Sequence, residues 1–217
     1  ERVLAAHAGS GKIMPSPDTT YKFVARANAD FPDAGQQRPL IIGFGPCGIL
    51  AALILAQMGL KPIVLERGQD VRVRTQDTWG LWRKSTLNTE SNVQFGEGGA
   101  GTFSDGKLWS QIQDKFHYGR KVLEEFVRAG APEEILFVSK PHIGTFKLVT
   151  MVEKMRAEII ALGGEIRFGS RVDKLHIDDG QATGVTLASG AALHSRHIVL
   201  AIGHSARDTF QMLFDAG

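Results

Sequence analysis

The chain is short of cysteine, of charge imbalance and of long uninterrupted hydrophobic runs, and each shortage excludes a class of protein. Cys47 is the only cysteine among 217 residues, so no intrachain disulfide can form. Lysine and arginine total 25 against 23 aspartate and glutamate, and without a basic run the sequence gives no support for nucleic-acid binding. Residues 39–60 carry no charge, but glycines and Pro46 interrupt them. This pattern favours a strand, a turn and a helix over a membrane-spanning helix.

The chain begins Glu1-Arg2-Val3, without an initiator methionine or an apolar signal region. We therefore expect a cytoplasmic protein that does not bind membranes, and a chain that is a fragment of a longer polypeptide. We predict no metal site, and the sequence does not indicate an oligomeric state.

The most informative stretch is residues 38–66, which combine a strand, a glycine turn, a helix and a second strand. The apolar run 40–42 leads into the motif G-x-G-x-x-G at residues 43–48, and a helical pattern follows over 49–59. We assign Gly43 to the tight turn out of the strand, Gly45 to close approach of a pyrophosphate, and Gly48 to helix–strand packing. The helix N-terminus offers unpaired N–H groups and a positive dipole end to phosphates.

The second strand of this unit, residues 62–65, ends at Glu66. Its spacing from the motif is close to the roughly 20 residues expected for an acid that hydrogen-bonds a ribose hydroxyl. A carboxylate there would repel a 2′-phosphate. The combination predicts a dinucleotide site, whereas a glycine-rich turn that binds nothing would leave Glu66 unexplained. Cys47 lies inside the turn, and it is either a small residue needed for packing or a redox thiol.

A second glycine-rich segment spans residues 96–106 and mixes five glycines with hydroxyl and carboxylate groups. Such a backbone can pass close to a ligand and present N–H groups to it. We predict a ligand-contacting loop, the alternative being a mobile surface loop.

The rest of the chain divides into an N-terminal segment or linker (1–37), an excursion (68–145) and a β-meander (165–196). Residues 68–92 lack a clean period and predict a surface helix or loop, while amphipathic helices are expected at 117–129 and after 145. Strand-like pieces at 165–168, 171–177, 182–188 and 191–194 alternate with turn signals and predict antiparallel hairpins. They lead into a buried strand that ends at Gly203.

Three blocks of sequence are specific enough to carry a resemblance. They read FGEGGAGTFSDGKL at 95–108, KPHIGT at 140–145 and LAIGHSARDTF at 200–210. With the 38–66 unit, they resemble an uncharacterised bacterial family of FAD-dependent (NAD/FAD-utilising) dehydrogenases within the glutathione-reductase-like flavoprotein superfamily. The resemblance covers roughly residues 38–214, and members of that family are much longer.

The resemblance implies a Rossmann-like α/β FAD-binding domain over residues 38–217, with a parallel sheet, helices and an antiparallel meander. It also implies a flavin-dependent oxidoreductase that acts on a small molecule by hydride transfer, with NAD(P)H as a possible electron donor. The cofactor-binding residues expected from the motif and from the resemblance together are Gly43, Gly45, Pro46, Cys47, Gly48, Glu66, Arg67, Gly98, Gly99, Gly101, Thr102, Ser104, Asp105, Val172, Ala201 and Gly203.

No catalytic residue stands out from the sequence. Lys107 and His204 are candidates for stabilising a reduced flavin, and His142 is a candidate for proton transfer near neutral pH. The alternative for each is an ordinary loop or turn residue. Two other functions stay open, namely an NAD-binding enzyme domain and a non-catalytic nucleotide-binding regulatory module.

Overall fold

A computed structural model describes residues 2–9, 13–109 and 112–216. Within them, helices and strands alternate in the first half, and a group of strands follows in the second. In chain order the elements are α1 (Arg2–Ala6), β1 (Leu40–Ile42), α2 (Pro46–Gln57), β2 (Ile63–Leu65), α3 (Val71–Lys84), α4 (Tyr118–Arg128), α5 (Thr145–Ala161), β3 (Glu165–Arg167), β4 (Val172–Asp178), β5 (Gln181–Leu187), β6 (Ala192–His194), β7 (Ile198–Leu200) and α6 (Arg207–Asp215). Short 3-10 helices add Gly99–Phe103 and Glu133–Leu136.

Four strands form a parallel sheet in the order β3-β2-β1-β7. The central strand β1 pairs Ile41 with Val64 of β2 on one side and with Val199 of β7 on the other. All three residues of β1 are buried, as expected for a parallel strand that is covered on both faces. Because the strands run the same way, their carboxyl ends meet at one edge of the sheet, where Gly43, Glu66 and Ala201 follow β1, β2 and β7.

The two faces of the sheet are covered by different layers, and β1 divides its side chains between them. Ile41 points into a cluster with helices α2 and α5, which includes Leu53 and Met155. Leu40 and Ile42 point to the opposite face, where they join residues of β4 and β5. This alternation follows from the two-residue period of a strand.

The meander is a separate antiparallel sheet of β4, β5 and β6. The sequence assigned four strand pieces to it, and this is wrong for the first of them, residues 165–168. That piece forms β3, which pairs parallel with β2 at the edge of the main sheet. Its sequence alternates polar Glu165 and Arg167 with apolar Ile166 and Phe168, as a hairpin strand would, although all three residues of β3 are half-buried.

Residues 68–92, which the sequence predicts as a surface helix or loop, contain helix α3. The side chain of Asp70 caps the N-terminus of this helix. The Asp70 carboxylate accepts hydrogen bonds from the N–H groups of Arg72 at 2.9 Å and Val73 at 3.2 Å. Helix α2 begins at Pro46, earlier than the pattern from 49 indicated, because proline is well suited to the first position of a helix. In the part of the chain that the structure describes, every helix falls short of the length and apolarity needed to cross a membrane.

Replacing Asp70 with alanine removes the only side-chain cap of α3. We expect the free energy of unfolding to fall by about 1 kcal/mol, because two N–H groups lose their acceptor. Urea unfolding measures the change, and Asp70→Ser serves as a control that keeps a capping oxygen. Equal stability of the alanine variant and the wild type would contradict the assigned cap.

Candidate nucleotide-binding site

An open cleft of about 660 Å³ lies at the carboxyl edge of the parallel sheet. Its size falls within the range of small-molecule sites, and the position is the one at which open α/β sheets bind ligands. Five segments line it: the β1–α2 turn, the end of β2, residues 93–100, the start of β4, and the chain from β7 into α6. The residues of these segments that line it are Ile42–Cys47, Leu65–Arg67, Val93–Gly96, Gly99, Ala100, Ser170–Val172, Leu200–Ala206, Thr209, Phe210 and Leu213.

The β1–α2 turn requires glycine at two positions because backbone meets backbone there. Gly43 has a φ of +100°, and a Cβ on it would overlap the carbonyl oxygen of Ala201. A Cβ on Gly48 would overlap the carbonyl oxygen of Gly43. These contacts press the first turn of α2 and the end of β7 against the same turn.

The N-terminus of α2 opens into the cleft. Gly45 is its N-cap, and no side chain accepts a hydrogen bond from the first turn. The first N–H groups of a helix have no intrahelical acceptor, and the dipole makes this end positive. Gly45, Pro46 and Cys47 line the cleft, and Cys47 is exposed. An uncapped N-terminus facing a cleft is suited to a phosphate group.

Glu66 lies at the end of β2, with only 4% of its surface exposed. One carboxylate oxygen accepts a hydrogen bond from the N–H of Phe44 at 2.7 Å, and the other accepts from the N–H of Gly68 at 2.8 Å. Glu66 therefore ties the glycine turn to the end of β2, a structural role that its spacing alone did not indicate. Each carboxylate oxygen can accept a second hydrogen bond, so capacity is left for a ligand in the cleft.

Arg67 also lines the cleft, but its guanidinium is bound to protein carboxylates. It bonds both oxygens of Glu90 at 3.0 and 3.2 Å and both oxygens of Asp208 at 3.0 and 2.9 Å. Burial by itself would lower the pKa of Arg67, but these hydrogen bonds raise it above its usual value. The guanidinium also lies 4.2 Å from the ring centre of Phe95. Arg67 thus joins β2 to α6 and to the 90–95 loop.

The structure brings most of the predicted cofactor residues to the cleft. Those that line it are Gly43, Gly45, Pro46, Cys47, Glu66, Arg67, Gly99, Val172, Ala201 and Gly203. Gly48 lies behind the turn, where it packs against Gly43.

The remaining predicted residues of the glycine-rich segment lie away from the cleft. The 3-10 helix Gly99–Phe103 turns them toward a smaller, mainly apolar pocket of about 180 Å³, lined in part by Gly98, Gly101, Thr102 and Ser104. The N–H of Gly98 donates to the Phe44 carbonyl and that of Gly99 to the Gly96 carbonyl. These two N–H groups are bonded within the protein and are not available to a ligand.

Only one of the three catalytic candidates lies in the cleft, namely the exposed His204. Lys107 and His142 form an isolated antiparallel bridge with each other outside it. The ammonium of Lys107 lies 3.1 Å from the carboxylate of Asp105, which is also outside the cleft. A bond to that lysine lowers the pKa of Asp105. The structure therefore does not unite these candidates in one site.

Sequence reasoning missed Arg74, whose side chain is fully buried in α3 beneath the cleft wall. It also missed α6, whose Thr209, Phe210 and Leu213 line the cleft. Only the structure reveals the role of Arg74, which lies with Val71 and Thr78 on the buried face of α3.

Comparison with known proteins supports the fold. No protein-family model matches the chain. It is 51% identical over 177 residues to an uncharacterised protein of Clostridium beijerinckii, a match that covers 82% of this chain and 33% of the relative, so the chain spans about a third of that protein's length.

Two solved structures superpose with a TM-score of 0.54 at 16% identity, namely Thermovibrio ammonificans THI4 and the L-amino acid deaminase of Proteus vulgaris. The matches cover 82% and 94% of this chain respectively, and 62% of each of the two proteins. The predicted Rossmann-like α/β fold with an antiparallel meander is thereby confirmed.

The two motif glycines Gly48 and Gly45 should respond differently to alanine. Gly48→Ala forces a Cβ onto the Gly43 backbone, so we expect a loss of about 1–3 kcal/mol in the free energy of unfolding. Gly45→Ala places its Cβ 3.8 Å from the Cα of Gly99, an ordinary contact, and should leave stability nearly unchanged. Urea unfolding of both variants compares them, and a Gly48→Ala protein as stable as Gly45→Ala would refute the packing assigned to Gly48.

Proposed function

We propose that this chain is the FAD-binding part of a flavin-dependent oxidoreductase. The observation that carries the proposal is the pairing, in one cleft, of an uncapped helix N-terminus with a buried carboxylate. The α2 N-terminus is suited to a pyrophosphate, and Glu66 has free acceptor capacity for ribose hydroxyls. A dinucleotide carries both a pyrophosphate and ribose hydroxyls.

Two features favour FAD over NAD as that dinucleotide. The meander packs on the sheet so that Val172, at the start of β4, lines the cleft beside Glu66. The end of β7 at Ala201–Gly203 borders the same cleft. Both belong to the flavoprotein pattern that the three sequence blocks resemble. The fold similarity to L-amino acid deaminase is compatible with this proposal.

The residues present fit the cofactor, and each would have a distinct task. Gly43 and Gly45 keep the turn free of side chains where the pyrophosphate approaches, and Glu66 would accept hydrogen bonds from the ribose. When bound, FAD supplies the capacity to accept and donate a hydride. His204, exposed at the rim of the cleft, is the candidate for holding a proton there. We propose NAD(P)H or a small organic molecule as the electron donor.

Replacing Glu66 tests the ribose contact. We expect Glu66→Gln to raise the dissociation constant for FAD about 10-fold or more, because a charged acceptor is lost. Glu66→Arg should weaken binding further by placing a cation at the ribose. Fluorescence titration with FAD measures both variants, with circular dichroism as a check of folding.

The matched control is Glu158→Arg, which makes the same charge change at an exposed position of α5. Its affinity should equal that of the wild type. A folded Glu66→Arg protein that binds FAD as tightly as the control would show that the adenosine end has been misplaced.

Cys47 provides a direct reporter of the phosphate end, because its thiol is exposed in the first turn of α2. We expect saturating FAD to slow the reaction of Cys47 with iodoacetamide, whereas NAD should protect it less. Mass spectrometry of the peptide that contains Cys47 gives the rate, and urea-unfolded protein gives the unprotected reference. An unchanged rate with FAD bound would exclude the α2 N-terminus as the phosphate site.

A further inference from the structure

Arg74 is the largest fully buried side chain among the described residues, with 0% of its surface exposed. A buried guanidinium is costly unless its donors are satisfied. Arg74 does not line the cleft. The hydrogen-bond acceptors of Arg74 therefore show which part of the structure this buried cation stabilises.

The hydrogen bonds of Arg74 go to one segment, residues 92–102, which we call the cleft-wall loop. Nε donates to the carbonyl of Asn92 at 2.7 Å, and Nη2 donates to the carbonyl of Val93 at 2.6 Å. Nη1 donates to the carbonyl of Glu97 at 2.6 Å and to the hydroxyl of Thr102 at 2.8 Å. One guanidinium therefore fixes the start, the middle and the end of this loop.

The cleft-wall loop supplies one wall of the cleft through residues 93–96, 99 and 100. Its contact with Arg74 is close, since Gly96 has a φ of +120° and a Cβ there would overlap the arginine side chain. On its other side, the loop bonds the β1–α2 turn through Gly98 N–H and the Phe44 carbonyl at 2.8 Å. Arg74 and the β1–α2 turn thus hold opposite sides of the same loop.

The surrounding charges favour a cation at this position. Burial lowers the pKa of Arg74 to about 10, while the charges of Glu66 and Glu97 oppose that shift, so the guanidinium stays charged at neutral pH. The buried carboxylate of Glu97 accepts from the N–H of Val71 at 2.8 Å and from Arg156 at 3.0 Å. A lysine could not replace the arginine, because its donors diverge from a single nitrogen and cannot reach acceptors spread along the loop.

We propose that Arg74 is a positioning residue for the nucleotide site, which sets the backbone of the cleft-wall loop and thereby the affinity for the cofactor. The identity of that cofactor rests on the proposed function, but the ordering of the loop does not. The competing explanation is that Arg74 only stabilises α3 and the core, without effect on ligand binding.

The test compares Arg74→Met and Arg74→Lys with the control Arg72→Met in the purified protein. Arg72 lies on the same helix but is exposed and pairs with Glu153. Hydrogen exchange followed by mass spectrometry, without cofactor, should show faster exchange at 92–102 in both Arg74 variants. The control should exchange at 92–102 at the wild-type rate, and exchange in β4–β6 should be unchanged in all variants. FAD titration should give a dissociation constant raised at least about 10-fold in both Arg74 variants.

Gly96→Ala provides a second route to the same contact, from the side of the loop. It should also speed exchange at 92–102 and weaken FAD binding. Wild-type exchange at 92–102 in the Gly96→Ala protein would contradict the close contact between Arg74 and the loop.

The outcomes separate this inference from the proposed function. Wild-type exchange at 92–102 in the Arg74 variants would overturn the positioning role, even if the protein binds FAD. Faster exchange with unchanged FAD affinity would overturn the link between the loop and the cofactor. A wild-type protein that binds no FAD would refute the proposed function, and the exchange data alone would then decide whether Arg74 orders the loop.

Discussion

The architecture depends on the close approach of backbone to backbone at the turn between β1 and α2. Gly43 lies against the carbonyl of Ala201, and Gly48 lies against the carbonyl of Gly43. These contacts bring the start of α2 and the end of β7 to the same point of the sheet edge. The cleft, its positive helix end and the adjoining strand ends are all consequences of this arrangement.

Around this turn, buried charged side chains bind backbone groups of neighbouring segments. Glu66 accepts from two N–H groups, Glu97 accepts from the N–H of Val71, and Arg74 donates to three carbonyls. Such bonds fix the course of irregular chain segments, which lack the regular backbone hydrogen bonds of strands and helices. The cleft walls are built from these irregular segments, so the charged residues behind them define its shape as much as the residues that line it.

The sequence predicted the parts of the fold that follow local patterns. Apolar runs predicted β1, β2 and β7, and the turn signals at 178–180 and 189–190 predicted the hairpins of the meander. The expected burial of β7 is wrong, because β7 is an edge strand that is half-buried with Leu200 exposed. The assignment of residues 165–168 to the meander was wrong because a half-exposed edge strand of a parallel sheet has the same alternation of polar and apolar residues as a hairpin strand. The position of α6 at the cleft involves long-range contacts such as the ion pair between Arg67 and Asp208, and local sequence carries no signal for such a pair.

The candidate site was predictable where a motif fixes the backbone and unpredictable where side chains converge from distant segments. Gly43, Gly45 and Glu66 reach the cleft because the βαβ unit places them there. Lys107 and His142 were chosen for their chemistry alone, and they pair with each other elsewhere. Arg74 was overlooked because charge on a helix usually indicates the solvent face, whereas here its acceptors are the carbonyls of a folded loop.

The most direct test of the central claim is the visible absorption spectrum of the purified protein, with mass identification of the compound that heat denaturation releases. A flavin spectrum and the mass of FAD are the predicted result. A colourless protein that also fails to take up added FAD would contradict the assignment of the cleft to a flavin cofactor.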